Sequence, residues 1–407
     1  MDNLNVNKKR NSYILLKAIS SLSLVLFLIC FIMMITTFTV EYVSDTNTLR
    51  AFLKGLMYIP PLIATISVNI ILRRKIKKYL SERIRIRQGK QFVFHIIVKT
   101  IAIGTGIFLI ILILLPYFAL PMFLNRHVNY LGHVTNDFPL QDLYQAKDFN
   151  LKENQMYLST EDGLKIWASE ITTTHPKAVI IYLSGIVQPS VTYFYGHAKF
   201  MKDNGYASIL LDVRGHGKSD GNRICLGYDE VEDVQAVVDY INSQEKYKEV
   251  PIVVQGASMG GAIAVNSFGQ IKDIDALIAM SAYSSFEDVI LDTLDGYGTP
   301  NFILSLEKPL IVSSLKRVYG SDKVKYMKPV EQIKNADGRP VLFMASTGDS
   351  EVPPINMNRL KDAYPEAQSW LRNSWVHYII KDCDFRNVEE DEEYWTKILN
   401  FLENEVH

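Results

Sequence analysis

Cysteine is scarce in this chain: among 407 residues only Cys30, Cys225 and Cys383 are present. Cys30 lies within a long apolar segment, so at most one disulfide is available to the remainder of the chain. The sequence contains no Cys-x-x-Cys pair and no Cys/His spacing typical of metal ligands. We therefore expect neither a disulfide framework nor a metal site.

An excess of charge of either sign is also missing. The 43 Lys and Arg residues balance 44 Asp and Glu residues and leave a net charge of −1. This balance argues against a nucleic-acid partner. The average conceals an asymmetry, because the chain is apolar and basic up to about residue 125 and mixed and rather acidic after it. We therefore expect two or three structural units, the first different in kind from the rest.

Long hydrophobic runs, by contrast, are abundant in the first third of the chain. Three stretches carry no charge: Ala18–Val40, Gly55–Leu72, which contains a Pro pair, and Thr100–Phe123. A helix needs about 20 apolar residues to cross the hydrocarbon core, and Pro is tolerated in membrane helices. We therefore predict that residues 1–123 form a membrane anchor with three helices, at about 18–40, 55–72 and 100–123.

The first apolar stretch has one alternative interpretation, a cleaved signal peptide. The basic residues Lys8, Lys9 and Arg10 resemble the start of such a peptide. The apolar stretch that follows is longer than the about 7–15 residues of a signal-peptide core, and no small-x-small cleavage site follows it. These two features favour a retained helix.

The charge of the loops indicates how the anchor is oriented. Residues 73–90 are rich in Lys and Arg, whereas the loop near residues 41–50 holds Glu41 and Asp45. The positive-inside rule places the N-terminus and residues 73–90 in the cytoplasm. We therefore predict a multi-pass cell-membrane protein whose later residues are extracytoplasmic. The basic loop would also contact anionic membrane lipids.

After a predicted linker at residues 124–154, strands alternate with helices. A turn at residues 161–163 joins the first two predicted strands into a hairpin, and Asp229–Ile241 has the spacing of an amphipathic helix. The remaining strands are continuous apolar runs, as in strands buried on both faces. The predicted strands are Met156–Ser159, Leu164–Ile171, Ala178–Leu183, Ala207–Val213, Ile252–Gln255, Ala276–Ser281 and Val341–Ala345. This alternation predicts an α/β domain at residues 155–407 with a mostly parallel sheet and helices on both faces.

A long insertion separates the last two of these strands. Ala282–Gly338 holds apolar and aromatic segments broken by Gly and Pro. Residues 283–338 are either a helical lid over a site or a crossover with additional surface helices, and the pattern leaves both open.

One short motif carries chemistry. Residues 251–261 run from an apolar β-segment through Gly256-Ala257-Ser258-Met259-Gly260 into an Ala-rich, helix-prone stretch. A nucleophilic serine needs such a sharp strand-to-helix turn, with glycines that leave room for it. The Met259 N–H, at the helix N-terminus, would face a developing oxyanion. The motif alone could occur by chance, but its strand and helix context favours Ser258 as a nucleophile.

Four blocks in the same order resemble the serine lipase, esterase and peptidase branch of the α/β-hydrolase family. They are Leu183-Ser184-Gly185, Leu211–Gly221, Gly256–Gly261 and Gly348–Pro353. The resemblance covers residues 155–407 and, with the apolar segments, indicates a membrane-anchored, bacterial-type member. It implies an α/β-hydrolase fold, and a fold does not by itself fix an activity.

The resemblance further implies a triad in the order Ser, acid, His. The acid corresponds to Asp349, which follows a predicted strand, and Glu351 is the alternative. The base corresponds to His377, whose spacing from Asp349 is similar to that of the family. In a second register Trp375–Ile380 would be the last strand, and Phe385 would stand where the base belongs.

The oxyanion site departs from the family pattern. The family usually has His-Gly after the first central strand, and here Ser184-Gly185 stands in its place. The implied donors are the backbone N–H groups of Ile186 and Met259, which survive this change. His216, in the Arg-Gly-His-Gly block, is expected to brace its loop because the family's base comes last in the chain.

Together these features predict a membrane-anchored serine hydrolase. It would cleave an ester, thioester or amide bond of a small-molecule, lipid or peptide substrate, and the mechanism requires no cofactor and no metal. The alternative is a catalytically inactive hydrolase-fold module that binds or scaffolds at the membrane.

Overall fold

The computed structural model describes residues 19–21, 23, 67–77, 90–128 and 144–406. The chain divides into two compact units, Met1–Leu115 and Pro116–His407. Most of the second unit is described, and it contains the candidate catalytic residues.

In the first unit residues 67–77 are helical, and helix α1 begins at Lys90 and ends at Leu124 in the second unit. The third predicted membrane helix, at 100–123, lies within α1. The predicted helix at 18–40 lies almost entirely outside the described residues, and only positions 67–72 of the second predicted helix are described. Among the residues that can be described, no helix is both long and apolar enough to span a bilayer.

The second unit alternates strands and helices along the chain. The strands are β1 Asn154–Ser159, β2 Lys165–Ile171, β3 Val179–Leu183, β4 Ala207–Leu211, β5 Ile252–Ala257, β6 Ala276–Met280, β7 Val341–Ser346 and β8 Gln368–Arg372. The helices are α2 Tyr195–Asp203, α3 Glu230–Ser243, α4 Met259–Gln270, α5 Phe286–Gly296, α6 Asn301–Tyr319, α7 Ser321–Val324, α8 Pro329–Gln332, α9 Ile355–Ala363 and α10 Glu392–Glu405. Short 3-10 helices lie at Ala146–Phe149, Val191–Phe194, Glu245–Tyr247, Ile333–Asn335, Lys381–Cys383 and Val388–Glu390.

The strands form one eight-stranded sheet in the order β1-β2-β4-β3-β5-β6-β7-β8. The β1–β2 hairpin and the β2–β4 pair are antiparallel, and all other pairs are parallel. The predicted mostly parallel sheet is therefore confirmed. Because parallel strands end at one edge, the segments after β3, β4, β5 and β7 all begin there, where such sheets keep their sites.

The last strand corrects one of the two registers that the sequence left open. β8 is Gln368–Arg372, paired in parallel with β7, whereas Trp375–Ile380 forms bends and turns. In that segment Val376, Ile379 and Ile380 are buried, whereas Trp375 is 81% exposed. The register with Trp375–Ile380 as a strand is thus wrong, and Phe385 is a buried core residue.

Helices cover both faces of the sheet. One apolar core joins the sheet to α3, α4 and α9, and the other joins it to α2 and α10. Every residue of β3, β4, β5, β6 and β7 is buried. Continuous apolar strands are the expected sequence for a sheet covered in this way. The core therefore holds the strand ends at fixed positions.

The insertion between β6 and β7 consists of helices. It contains α5 to α8, and α5 packs against α6. The Thr293 hydroxyl of α5 donates to the Glu351 carbonyl at 3.1 Å. This contact brings the first helix of the insertion to the loop that follows β7.

The crossing of β5 and α4 leaves no room for side chains at two glycines. A Cβ on Gly256 would lie 2.0 Å from the Gly260 carbonyl oxygen, and one on Gly260 would lie 2.3 Å from the Leu183 carbonyl oxygen. Both obstacles are backbone atoms, so a larger residue would have to move a strand or a helix. The glycines therefore let α4 pack directly on the ends of β3 and β5.

We expect Gly260→Ala to destabilise the protein by about 1–3 kcal/mol, because overpacking at a backbone contact cannot be relieved by a rotamer change. The measurement is the denaturant midpoint of the full chain, compared with Gly296→Ala. Gly296 ends α5 with no neighbouring atom within 4 Å of an added Cβ. A Gly260→Ala midpoint equal to that of the control would contradict the proposed crossing.

Candidate active site

Ser258 lies on the turn between β5 and α4. Its backbone has φ 58° and ψ −122°, a conformation that side-chain-bearing residues rarely adopt. The turn is held because Ser258 N–H donates to the Met280 carbonyl at 2.9 Å, and Ala262 N–H donates to the Ser258 carbonyl at 3.1 Å. A strained serine between a buried strand and a helix is the geometry of a nucleophile elbow.

Asp349 lies on the loop after β7, and its carboxylate is oriented by three donors. Oδ1 accepts from the N–H groups of Glu351 and Val352, both at 2.9 Å, and Oδ2 accepts from His377 Nδ1 at 2.7 Å. The Asp349 side chain is fully buried. Water therefore does not compete for this carboxylate. Its Oδ2 accepts from the imidazole of His377 while Oδ1 is held by the two backbone N–H groups.

His377 lies on the loop after β8, and backbone carbonyls anchor that loop. The Ser281 hydroxyl donates to the His377 carbonyl, and the Ser346 hydroxyl donates to the Val376 carbonyl at 2.7 Å. Nε2 of His377 is buried and has no hydrogen-bond partner among the residues that the structure describes. The hydrogen bond from Nδ1 to Asp349 thus orients the ring, and Nε2 is left to exchange a proton.

The pKa of His377 is raised above its ordinary value by two carboxylates. Burial acts first and would lower the pKa, since it penalises the imidazolium, but the hydrogen bond and charge of Asp349 outweigh it. Glu351 adds to the rise: its Oε2 lies 4.0 Å from Nε2, and its side chain is 71% exposed. Glu351, the alternative acid, is therefore a solvated charge, whereas Asp349 holds the ring.

The loop after β3 faces the elbow. A Cβ on Gly185 would lie 3.6 Å from Ser258 Cβ, so Ile186 follows a residue that packs against the serine. Met259 is the first residue of α4, and the first N–H groups of a helix have no partner within it. Both predicted oxyanion donors thus belong to segments beside Ser258.

His216 lies on the loop after β4 and contacts two backbone carbonyls. Its Nδ1 is 3.1 Å from the Arg214 carbonyl, and its Nε2 is 3.1 Å from the Ile186 carbonyl. Burial lowers the pKa of His216, although the hydrogen bonds with the two carbonyls act in the opposite direction. His216 links the loops after β3 and β4, the bracing position expected for it.

Several residues at the site carry no local sequence signal. Ser281, Ser346, Gln188 and Tyr378 bind groups that are distant in the chain, as in the 3.0 Å hydrogen bond from Gln188 Nε2 to Tyr378 Oη across 190 positions. A contact of that separation follows only from the sheet order. The apolar run that suggested a strand at Trp375–Ile380 was the one available hint that this loop is buried.

A cavity of about 630 Å³ lies between the β1–β2 hairpin and the start of α2. Its carboxylates are satisfied within the protein: Glu153 accepts from Ser169 and Tyr195, and Asp212 from Ser190 and the Val191 N–H. Burial raises the pKa of Asp212 to about 6. Within the described part of the chain, no group of three or more His, Cys, Asp or Glu residues could hold a metal ion.

Comparison with known proteins supports the fold. A family model described as "Serine aminopeptidase, S33" matches residues 174–294. Protein bem46 of Schizosaccharomyces pombe is 27% identical over 52% of this chain and 65% of its own length. An uncharacterized membrane protein of Saccharomyces cerevisiae is 22% identical over 61% of this chain and 78% of its own. An esterase of Pyrococcus furiosus aligns with a TM-score of 0.50 and 21% identity over 65% of this chain and 95% of that chain.

These matches and the sheet order support an α/β-hydrolase fold. The family model covers β3 to α5, including the elbow, but ends before Asp349 and His377. This chain spans 65% of the length of bem46, less than two thirds. The matched relatives do not single out a bacterial type.

We expect the His377 ring to titrate with a midpoint above 6.5 and to be neutral only at higher pH. Asp349→Asn removes the main charge that stabilises the imidazolium, so the midpoint should fall, and Glu351→Gln should lower it less because that carboxylate is exposed. NMR of the ring protons against pH measures all three values. A midpoint unchanged in Asp349→Asn would show that the carboxylate does not act on the ring.

Proposed function

We propose that the chain is a membrane-anchored serine hydrolase that cleaves an ester, thioester or amide bond through an acyl-enzyme, with Ser258 as nucleophile, His377 as base and Asp349 as the orienting acid. The observation that carries the proposal is the buried Asp349–His377 pair at the same sheet edge as the strained Ser258 elbow. Ser258, Asp349 and His377 follow one another in the order serine, acid, histidine that is typical of α/β-hydrolases. No cofactor takes part in this reaction.

In the acylation half, Ser258 Oγ attacks the carbonyl carbon while His377 Nε2 takes the hydroxyl proton. The carbonyl oxygen becomes an oxyanion, which the N–H groups of Ile186 and Met259 bind. The intermediate then collapses, the bond to the leaving group breaks, and His377 returns the proton to that group. Asp349 stabilises the imidazolium throughout by accepting from Nδ1.

In the deacylation half, water replaces the leaving group. His377 takes a proton from the water as its oxygen attacks the acyl carbon, and the second oxyanion occupies the same donors. Collapse breaks the bond to Ser258 Oγ, which recovers its proton from His377. The described atoms show no hydrogen bond at Nε2, as is common in catalytic serine sites before substrate binds.

The proposal extends to location and substrate class. The apolar segments at 18–40, 55–72 and 100–123 would anchor the chain in the cell membrane with the hydrolase unit extracytoplasmic, and the Saccharomyces cerevisiae relative is itself named a membrane protein. Membrane lipids would surround the anchor. The substrate would be a small molecule, a lipid or a peptide. Residues 283–338 would be either a lid over the site or a crossover with additional surface helices.

A fluorophosphonate probe should label Ser258, because an activated serine attacks phosphorus as it attacks a carbonyl. Ser258→Ala should abolish labelling, and His377→Ala should slow it by orders of magnitude because triad members act together. Mass spectrometry of the labelled peptide identifies the residue that carries the probe. The matched control is Ser267→Ala, a buried serine on the same helix α4, which should label normally.

Two outcomes would count against the proposal. Labelling that persists in Ser258→Ala would assign the reaction to another residue. A wild-type chain that neither labels nor turns over a broad panel of activated esters would favour the alternative, a hydrolase-fold protein that binds or scaffolds at the membrane without catalysis.

The predicted orientation is tested by cysteine accessibility in intact cells. A membrane-impermeant maleimide should label Lys272→Cys, whose side chain is 59% exposed on the hydrolase unit, and should not label Lys75→Cys in the basic segment. The native chain, in which Cys225 is buried, gives the background. Labelling of the Lys75 variant alone would reverse the orientation.

A further inference from the structure

We propose that Tyr378 is a positioning residue for the oxyanion site: through Gln188 it ties the loop that carries Ile186 to the loop that carries His377. The inference rests on the serine-hydrolase function proposed above. Tyr378 lies outside the triad. It follows His377 directly in the sequence, but its hydroxyl contacts Gln188 on the loop after β3.

The tie is a buried hydrogen bond between two loops. Gln188 Nε2 donates to Tyr378 Oη at 3.0 Å, and the two residues are 6% and 8% exposed. Gln188 also closes a turn, because its N–H donates to the Gly185 carbonyl at 3.2 Å. Ile186 lies inside that turn. The direction of the Ile186 N–H therefore depends on where Gln188 is held.

The Tyr378 hydroxyl and the nucleophile lie against the same glycine. A Cβ on Gly185 would be 2.9 Å from Tyr378 Oη and 3.6 Å from Ser258 Cβ. His216 Nε2 in turn lies 3.1 Å from the Ile186 carbonyl. Gly185 and Ile186 are thus held by contacts with two different residues, Tyr378 and His216.

The ring of Tyr378 is fixed independently of its hydroxyl. It packs edge-on against His377 at 4.7 Å between centroids, and against Phe385 and Tyr193 at 5.8 and 6.4 Å. Tyr378→Phe therefore removes the tie to Gln188 and leaves the aromatic packing in place. We therefore expect Tyr378→Phe to loosen the Ile186 loop while the ring keeps its packing beside His377.

The first test is the hydrolysis of a p-nitrophenyl ester by the full chain and its Tyr378→Phe variant. We expect kcat to fall about ten-fold, less than the about 100- to 1,000-fold that follows loss of an oxyanion donor itself. KM should not change, since the oxyanion exists only in the transition state. The midpoint of the pH–rate profile should also stay where it is, because His377 and Asp349 keep their contacts.

The second test asks whether Tyr378 acts through Gln188. Gln188→Ala should lower kcat to the same degree, and the double variant should be no slower than the slower single variant, since both remove one interaction. The control is Tyr247→Phe, which removes a buried hydroxyl hydrogen bond to Glu170 (2.7 Å) before β5 begins, at the edge remote from Ser258. Its kcat should match that of the wild type.

The outcomes separate this inference from the function on which it rests. An unchanged kcat in Tyr378→Phe, while Ser258→Ala eliminates turnover, overturns the inference and leaves the function standing. A raised KM, a shifted pH midpoint or additive losses in the double variant also overturn it, because Tyr378 would then act on substrate or on His377. If Tyr378→Phe fails to fold, a full kcat in Gln188→Ala overturns it. No turnover by the wild type overturns both.

Discussion

The contact of β5 with α4 at Gly256 and Gly260 is the constraint on which the site depends. Because neither glycine carries a side chain, strand and helix can approach closely at the sharp turn where Ser258 has a positive φ. The same approach brings the first N–H of α4 next to the serine and seats the helix on the end of β3. Nucleophile and oxyanion donor are thus consequences of one steric fit.

The acid and the base are positioned by a different means. Hydrogen bonds hold the loops that carry them: two N–H groups orient Asp349, while serine hydroxyls at the ends of β6 and β7 capture the carbonyls of the His377 segment. These donors come from neighbouring parallel strands. The order of the strands therefore positions the Asp349–His377 pair, as the two glycines position Ser258.

Much of the fold follows from the sequence because buried strands need continuous apolar runs, and all seven predicted strands are present. The elbow can also be predicted from the sequence, because its glycines and serine lie close together in the chain. β8 could not be found in this way, because as an edge strand it is mostly exposed and lacks an apolar run. The Gln188–Tyr378 contact could not be predicted from the sequence either, because it depends on how two distant loops meet.

The border position of β8 has a consequence for how the protein would lose activity. β8 pairs on one side only, with β7, and the segment bearing His377 leaves directly from it. Edge elements open at lower free energy than the centre of a sheet. Fraying there would carry the base away while the elbow, in the buried middle of the sheet, stays intact. Inactivation by heat or denaturant would then precede global unfolding and be reversed on cooling or dilution.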